Sequence, residues 1–290
     1  VRFDAEMVPA WLEALKAKDA NDAKEADMRL TLLSIIEQRH DKRAVPYLWH
    51  LSAAPIYPPQ VNARAQLILA KLTNFEPNKL PPARIALVEQ AERYYQQKVK
   101  FPMGKAIRVW PWDGAKLAVK PVELTPRQAE EFYGLRYARE ALELDPTFLP
   151  AQQAFVALTL SHTYGNNIDG MLLKPMPPAL QQLLGSIDGA LLIRVLERGL
   201  DDGNIPVILW ATTALGERGE VRAARAVVSG APRGVTRALV YPDRRVQYAA
   251  VKALLRMPAS NVPVASSRVV DVLRRSIAAA PSGKALVLHA

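Results

Sequence analysis

The sequence predicts an all-α protein, an α-solenoid of antiparallel helix pairs with one β-hairpin inserted at about residues 104–124. Apolar residues recur at helical spacing along nearly the whole chain, and proline or glycine breaks the pattern about every 12 to 20 residues. The loops are short, so consecutive helices are expected to pair antiparallel. An Asp-Gly pair between two alternating runs predicts the hairpin.

The helical pattern divides into twelve segments. The predicted helices span about residues 5–17, 23–39, 43–53, 59–73, 82–99, 126–144, 149–164, 178–199, 206–217, 220–230, 244–257 and 266–279. Several begin with a capping residue or a first-turn proline, such as Thr125 before Pro126 and Asp243 before Arg244.

The hairpin segment reads GKAIRVWPWDGAKLAVKPVEL, with the turn predicted at Asp113-Gly114 because a tight primed turn needs positive φ. Trp110 and Trp112 fall on one strand face. Two tryptophans in this arrangement are typical of a lid packed over neighbouring helices. Stacking on a ligand is the alternative, so the pair is kept as a second candidate surface.

One apolar pattern occurs in three of the predicted helices. Valine, alanine and leucine follow each other at four-residue spacing, so they share one helix face and a neighbouring helix can approach closely over the alanine. The three copies are Val61, Ala65 and Leu69; Val207, Ala211 and Leu215; and Val246, Ala250 and Leu254. The last two copies are 39 residues apart, which is within the range of two-helix repeats.

The segments HDKRAVPYLWHLSAA, VNARAQLILAKLT and GVTRALVYPDRRVQYAAVKALLRM resemble bacterial HEAT repeats of the phycobilisome-lyase-like group. The segment YGLRYAREALELDPTFLPAQQAFVALTL resembles the junction between tetratricopeptide repeats. The resemblance covers residues 41–73 and 205–280 well and 126–165 in part. It implies a scaffold that binds proteins, but no specific activity, because a fold does not define a function.

These patterns suggest five segments. HEAT-like helices occupy 1–100, the hairpin 101–125, tetratricopeptide-like helices 126–202, and basic HEAT-like helices 203–280. Residues 281–290 change to a β-like run and are expected to begin a truncated further domain.

Charge is concentrated in the last third of the chain. The net charge is +10, and residues 203–290 hold 13 Lys and Arg against 4 Asp and Glu, which leaves 25 and 24 for residues 1–202. Electrostatic attraction of an acidic partner would therefore originate in the last third.

Neither the composition nor the sequence motifs indicate an enzyme. The absence of cysteine excludes disulfides and thiol chemistry, although it does not distinguish a reducing from an oxidising compartment. The four histidines are dispersed, and neither a phosphate loop nor a nucleophile motif is present, so no metal, cofactor or catalytic residue is predicted. No run of about 18 apolar residues occurs, so no transmembrane segment is predicted. Localisation is not predicted.

The candidate binding surface is a basic stripe, Arg244, Tyr248, Lys252 and Arg256, whose four-residue spacing places it on one helix face. The HEAT resemblance implies that this face lines a groove, joined by Arg218, Arg222 and Arg225. Guanidinium groups suit carboxylates and phosphates, so the expected partner is a protein or acidic peptide, with nucleic acid as the alternative. A solvated basic face without a partner is the other interpretation.

Overall fold

The computed structural model describes Leu12, Leu15 and residues 23–101, 106–113, 118–163, 176–224, 233–258 and 266–278. Over these residues the chain is mostly helical with a small antiparallel β-structure, which confirms the predicted all-α class. The chain divides into two compact units, Val1–Leu158 and Thr159–Ala290. The five-segment division remains a prediction from the sequence.

The helices are numbered here along the described residues. The first unit contains α1 (Ala23–Arg39), α2 (Val45–Ala53), α3 (Pro59–Thr73), α4 (Ala83–Tyr95), α5 (Pro126–Leu144) and most of α6 (Leu149–His162). The second unit contains α7 (Pro178–Ser186), α8 (Gly189–Asp202), α9 (Ile205–Glu217), α10 (Gly234–Leu239), α11 (Arg244–Arg256) and α12 (Ser266–Ala278). Short 3₁₀ turns lie at Lys42–Ala44, Pro77–Lys79 and Val221–Ala224.

Local capping explains where several helices begin. The Thr125 side chain accepts a hydrogen bond from the Gln128 backbone N–H, and the Gln128 side chain accepts one from the Thr125 N–H, so α5 begins with a capping box. The same kind of signal corrects one prediction. A single helix over 178–199 is wrong, because Asp188 caps α8 through a 2.8 Å bond from the Ala190 N–H and the chain turns there.

Two other predicted helices need correction, and one helix was missed. Helix α4 ends at Tyr95 rather than near 99, and Gln97 adopts a positive φ of 52°. The helix predicted at 220–230 is a short turn over 221–224, with 225–230 outside the described residues. Helix α10 was not among the predicted helices. The helix predicted at 5–17 lies outside the described residues except for Leu12 and Leu15, which are buried.

The antiparallel pairing of the predicted hairpin is confirmed, but Asp113 is not a turn residue as predicted. Strand β1 (Ile107–Val109) pairs with β4 (Val122–Leu124), and β2 (Trp112–Asp113) pairs with β3 (Ala118–Val119), in one continuous antiparallel register. Asp113 is therefore a strand residue opposite Ala118, and Gly114, the other residue of the predicted turn, lies outside the described residues. The ladder is interrupted where the Lys120 N–H donates to the Pro111 carbonyl at 3.4 Å, because proline has no N–H to return the bond.

The predicted Val-Ala-Leu pattern is the buried face of its three helices. Eight of its nine residues are fully buried and the ninth, Leu254, is 6% exposed. Helix α3 carries the first copy, α9 the second and α11 the third. Burying such side chains is the main favourable contribution to folding, so this face holds each helix in its unit.

The second unit contains two packed helix pairs. Helix α8 packs on α9 and α10 packs on α11, and the second helices of the two pairs, α9 and α11, also pack on each other. Their contact is close at Gly216, where a Cβ atom would lie 2.5 Å from the Ala253 Cα atom. Glycine is required there because any side chain would meet the backbone of α11.

None of the described helices is by itself long and apolar enough to cross a membrane. Helices α7 and α8 together meet the length and composition for a span, but the chain bends by 113° between them. Their apolar residues include core positions such as Leu184, Leu192 and Leu196, all buried within the second unit.

Replacing Gly216 by alanine tests the close contact between α9 and α11. The added methyl group must displace the backbone at Ala253, so Gly216→Ala should destabilise the fold by about 1 to 3 kcal/mol. The matched control is Gly185→Ala in α7, where a Cβ has no neighbour within 4 Å. That change should be neutral or stabilising by up to about 1 kcal/mol. Urea unfolding followed by circular dichroism measures both, and a Gly216→Ala protein as stable as the parent would contradict the packing.

Candidate partner-binding surface

Helix α11 presents the predicted basic stripe on its exposed side. The Asp243 side chain begins the helix by accepting bonds from the N–H groups of Arg245 at 2.8 Å and Val246 at 3.4 Å. From this cap the 3.6-residue period turns Val246, Ala250 and Leu254 inward. The stripe residues Arg244, Tyr248, Lys252 and Arg256 are all exposed.

The stripe is cationic with an aromatic side chain at its centre. The Lys252 ammonium lies 5.8 Å from the centroid of the Tyr248 ring, a cation–π distance. Arg256 forms an ion pair with Glu217 of α9 at 3.4 Å, which offsets part of its charge. Arg244 has no ion-pair partner among the described residues.

Sequence reasoning missed one residue on this face. Leu255 is 66% exposed, among the most exposed large apolar side chains of the described chain. It follows Arg244 by eleven residues, or about three helical turns, so it points in a direction between those of Arg244 and Tyr248 but lies beside Arg256 at the end of the helix. The helical period was enough to find it. The stripe is therefore a basic surface with an apolar patch formed by Tyr248 and Leu255.

The predicted extension by three arginines is only partly available. The Arg218 guanidinium donates to the backbone carbonyls of Leu184, at 2.9 Å, and of Ile187. These carbonyls belong to the last turn of α7 and to the residue after it, where carbonyls lack helical partners, which is why a nearby arginine binds them. Arg218 is thus committed to holding the end of α7 rather than displayed for a partner.

Arg222 is also bound within the chain. Its guanidinium forms a two-point ion pair with Glu220, with Nε to Oε1 at 2.7 Å and Nη2 to Oε2 at 2.8 Å. The hydrogen bond from Arg222 holds the pKa of Glu220 below its usual range, and the same bond raises the pKa of Arg222. Arg225, the third arginine, lies outside the described residues.

The two hairpin tryptophans remain an untested second surface. Trp110 follows β1 and is half-buried. Trp112 lies in β2 opposite Val119, as the backbone pairing shows. Packing over helices and stacking on a ligand both remain predictions for this pair.

In the described part of the chain, an acidic residue two positions before an arginine closes three turns, a feature that sequence reasoning did not identify. In each case the carboxylate accepts a bond from the backbone N–H two residues later and pairs with that residue's guanidinium. The three pairs are Asp41 with Arg43, Glu220 with Arg222 and Asp243 with Arg245. The arginine lowers the pKa of the acid at each turn.

The first unit contains a buried ionic cluster. Arg136 pairs with Glu140 at 2.9 Å and lies over the Tyr47 ring at 4.0 Å, with both charged side chains less than 10% exposed. One turn along α5, Glu143 approaches the buried ring of His50 at 3.0 Å. Burial raises the pKa of Tyr137 beside them well above its usual value. Arg136 and Glu140 neutralise each other inside the core, an arrangement typical of structural pairs.

No group of three or more acidic or histidine side chains in the described part of the chain is arranged to hold a metal ion. Comparison of the chain with protein-family models, curated proteins and solved structures finds no match in any of the three.

The Asp243 cap predicts how stability depends on pH. Because Arg245 lowers the pKa of Asp243 below the ordinary 3.8, the ionised cap stabilises α11 above that value, and this contribution is lost as pH falls through the lower pKa of the folded state. Asparagine also caps helices but does not ionise. The free energy of unfolding of Asp243→Asn should therefore fall less steeply than that of the parent below about pH 5.

Urea unfolding of both proteins at several pH values between about 5 and 2 measures this difference. Asp271→Asn on α12 is the control, since Asp271 is exposed and its side chain caps no helix. Identical pH profiles for the parent and Asp243→Asn would show that the cap contributes nothing.

Proposed function

We propose that the chain is a non-enzymatic helical-repeat scaffold that binds an acidic protein partner through the basic stripe of α11. The observation that carries this proposal is the division of that helix into two faces. Its Val246, Ala250 and Leu254 face is buried in the unit, while three cations and Tyr248 stand exposed on another. Arg244 and Lys252 form no ion pair with the described residues, so their charges are available for recognition.

The proposed architecture is an α-solenoid with HEAT-like ends and a tetratricopeptide-like middle. The two helix pairs of the second unit support it, because their second helices α9 and α11 pack together. Each second helix also begins with a side-chain cap, Asn204 in one and Asp243 in the other, 39 residues apart. Stacked copies of one helix pair are the basis of such repeat proteins.

A protein partner fits this surface better than a nucleic acid. Leu255 exposes an apolar side chain at the C-terminal end of the stripe. Burying this side chain stabilises a protein interface, whereas contact with a phosphate backbone does not. Glu217 beside Arg256 would also repel phosphates. Nucleic-acid binding by single-strand grooves uses several stacking aromatics, whereas Tyr248 is the single aromatic residue of α11.

Charge reversal tests the proposal. Arg244→Glu combined with Lys252→Glu should leave the fold intact, since exposed charges contribute within about 0.5 kcal/mol each. Binding of an acidic partner should weaken by about tenfold or more, because attraction is replaced by repulsion. The control is Arg194→Glu combined with Arg233→Glu, which changes the net charge equally at two exposed positions on and beside the first helices of the pairs.

The parent, the Arg244→Glu, Lys252→Glu protein (the stripe variant) and the control are each used to capture proteins from the source cell, and the captured amounts are compared. The acidic proteins retained by the parent and by the control should be lost from the stripe variant. Equal retention by the stripe variant would show that the partner binds elsewhere. Salt-sensitive binding of mixed-sequence DNA by the parent, lost in the stripe variant, would instead favour the nucleic-acid alternative.

A further inference from the structure

The two helix pairs of the second unit correspond residue by residue at an offset of 39. The first helices share buried apolar positions, and the second helices share the cap and the buried face. The matching positions are Leu196 and Val235, Leu200 and Leu239, Asn204 and Asp243, Val207 and Val246, Ala211 and Ala250, and Leu215 and Leu254. A position on α11 can therefore be compared with its counterpart on α9.

The counterparts of the exposed α11 face form a face of α9. Arg244, Tyr248, Lys252, Leu255 and Arg256 together are the α11 outer face. Their counterparts on α9, in the same order, are Ile205, Leu209, Thr213, Gly216 and Glu217. The two faces differ in character, because the α9 residues are small or uncharged except for Glu217.

On α9 this face is partly covered, with Ile205 and Thr213 half-buried, and α11 contacts it at Gly216 and Glu217. Leu209 is 2% exposed and Gly216 is buried. The Ala253 backbone of α11 occupies the space that a Gly216 side chain would need. Glu217 at the edge of the same face pairs with Arg256. The α11 outer face is thus the one on which the repeat receives its next helix, rather than the wall of a groove.

We propose that the α11 outer face binds an acidic α-helix of the partner protein, seated on α11 as α11 is seated on α9. This inference rests on the proposed function and specifies the shape of the partner. No described residue covers the face. Helix α12 packs on α11 through Arg275 and Gln247, about 100° around the helix from Tyr248.

The residues that differ between the two faces define the chemistry of the bound helix. Arg244 and Lys252 replace Ile205 and Thr213, so the partner must carry carboxylates. Because the two cations are eight residues apart on α11, or about 12 Å along its axis, the carboxylates are expected at the same separation on one helix face. Apolar partner residues between them would bury Tyr248 and Leu255.

Leu255 also sets how closely the bound helix can approach. Its counterpart Gly216 allows backbone contact, and a leucine at this position holds the next helix further away. The contact must then be made by long side chains, which suits glutamate facing arginine and lysine. A second copy of this chain presenting the same face would oppose cations to cations and is disfavoured.

A pair of synthetic peptides tests this docking. The first is a helical peptide with one leucine stripe flanked by glutamates at four-residue spacing. The second has the same charge and the same leucines but two central prolines, which prevent a continuous helix. Fluorescence anisotropy at low salt should show that the full chain binds the helical peptide at least about tenfold more tightly than the proline peptide.

Two variants complete the experiment. Arg244→Glu combined with Lys252→Glu should weaken binding of the helical peptide by about tenfold or more, while the Arg194→Glu, Arg233→Glu control should bind as the parent does. Leu255→Ser leaves the charge unchanged and should weaken the helical peptide several-fold without affecting the proline peptide, since only the helix presents a leucine stripe to this position.

The outcomes separate this inference from the proposed function. Equal binding of the two peptides, with both lost in the stripe variant, would overturn helical docking and leave the acidic partner in place. Binding that the stripe variant retains would overturn both. Absence of any binding by the parent would overturn helical docking. Self-association of the parent in sedimentation velocity, removed by the charge reversal, would assign the face to a second copy and also overturn the inference.

Discussion

The second unit depends on the contact between the Gly216 and Ala253 backbones. This approach lets α9 and α11 lie against each other over small residues, so that both Gly216 and Ala253 are buried. Dispersion and the hydrophobic effect act over short distances, and holding α11 one methyl group further away would leave voids between the two helices. The close contact thus determines which sides of α11 remain exposed.

The same contact explains why charge can accumulate on α11. A helix held by one apolar face needs nothing from its opposite face, which can carry arginine and lysine at little cost in stability. Asp243 fixes the start of the helix and therefore the direction in which each residue of the stripe projects. The residues that hold α11 in the fold and the residues that are exposed for binding lie on different faces of the helix, an arrangement that suits a scaffold.

Much of this could be predicted from the sequence because it depends on local periodicity. The Val-Ala-Leu pattern, the cap at Asp243 and the exposed stripe follow from the helical period, and the helices α1, α3 and α5 follow from their apolar spacing and terminal signals. The hairpin turn could not be placed by the Asp-Gly pair, because Pro111 and the pairing of Ile107 with Leu124 fix the register from outside the turn.

Other features depend on contacts between residues distant in sequence. Arg218 binds carbonyls more than thirty residues earlier in the chain, which no local pattern indicates. The assignment of the stripe to a groove came from the HEAT resemblance, whereas the comparison of α11 with α9 shows that the equivalent face of α9 is a stacking face. The groove and the stacking interpretations are distinguished only by the helix that packs on the equivalent face of α9, which is α11.

The stacking of α11 on α9 is tested most directly by cross-linking in a chain that has no cysteine of its own. Glu217→Cys with Arg256→Cys, treated with a short bis-maleimide, should form an intramolecular cross-link efficiently, since these side chains meet at 3.4 Å. Glu217→Cys with Arg244→Cys should react poorly, because Arg244 lies about 18 Å further along α11. Efficient cross-linking of the second pair, or none of the first, would contradict the stacked arrangement.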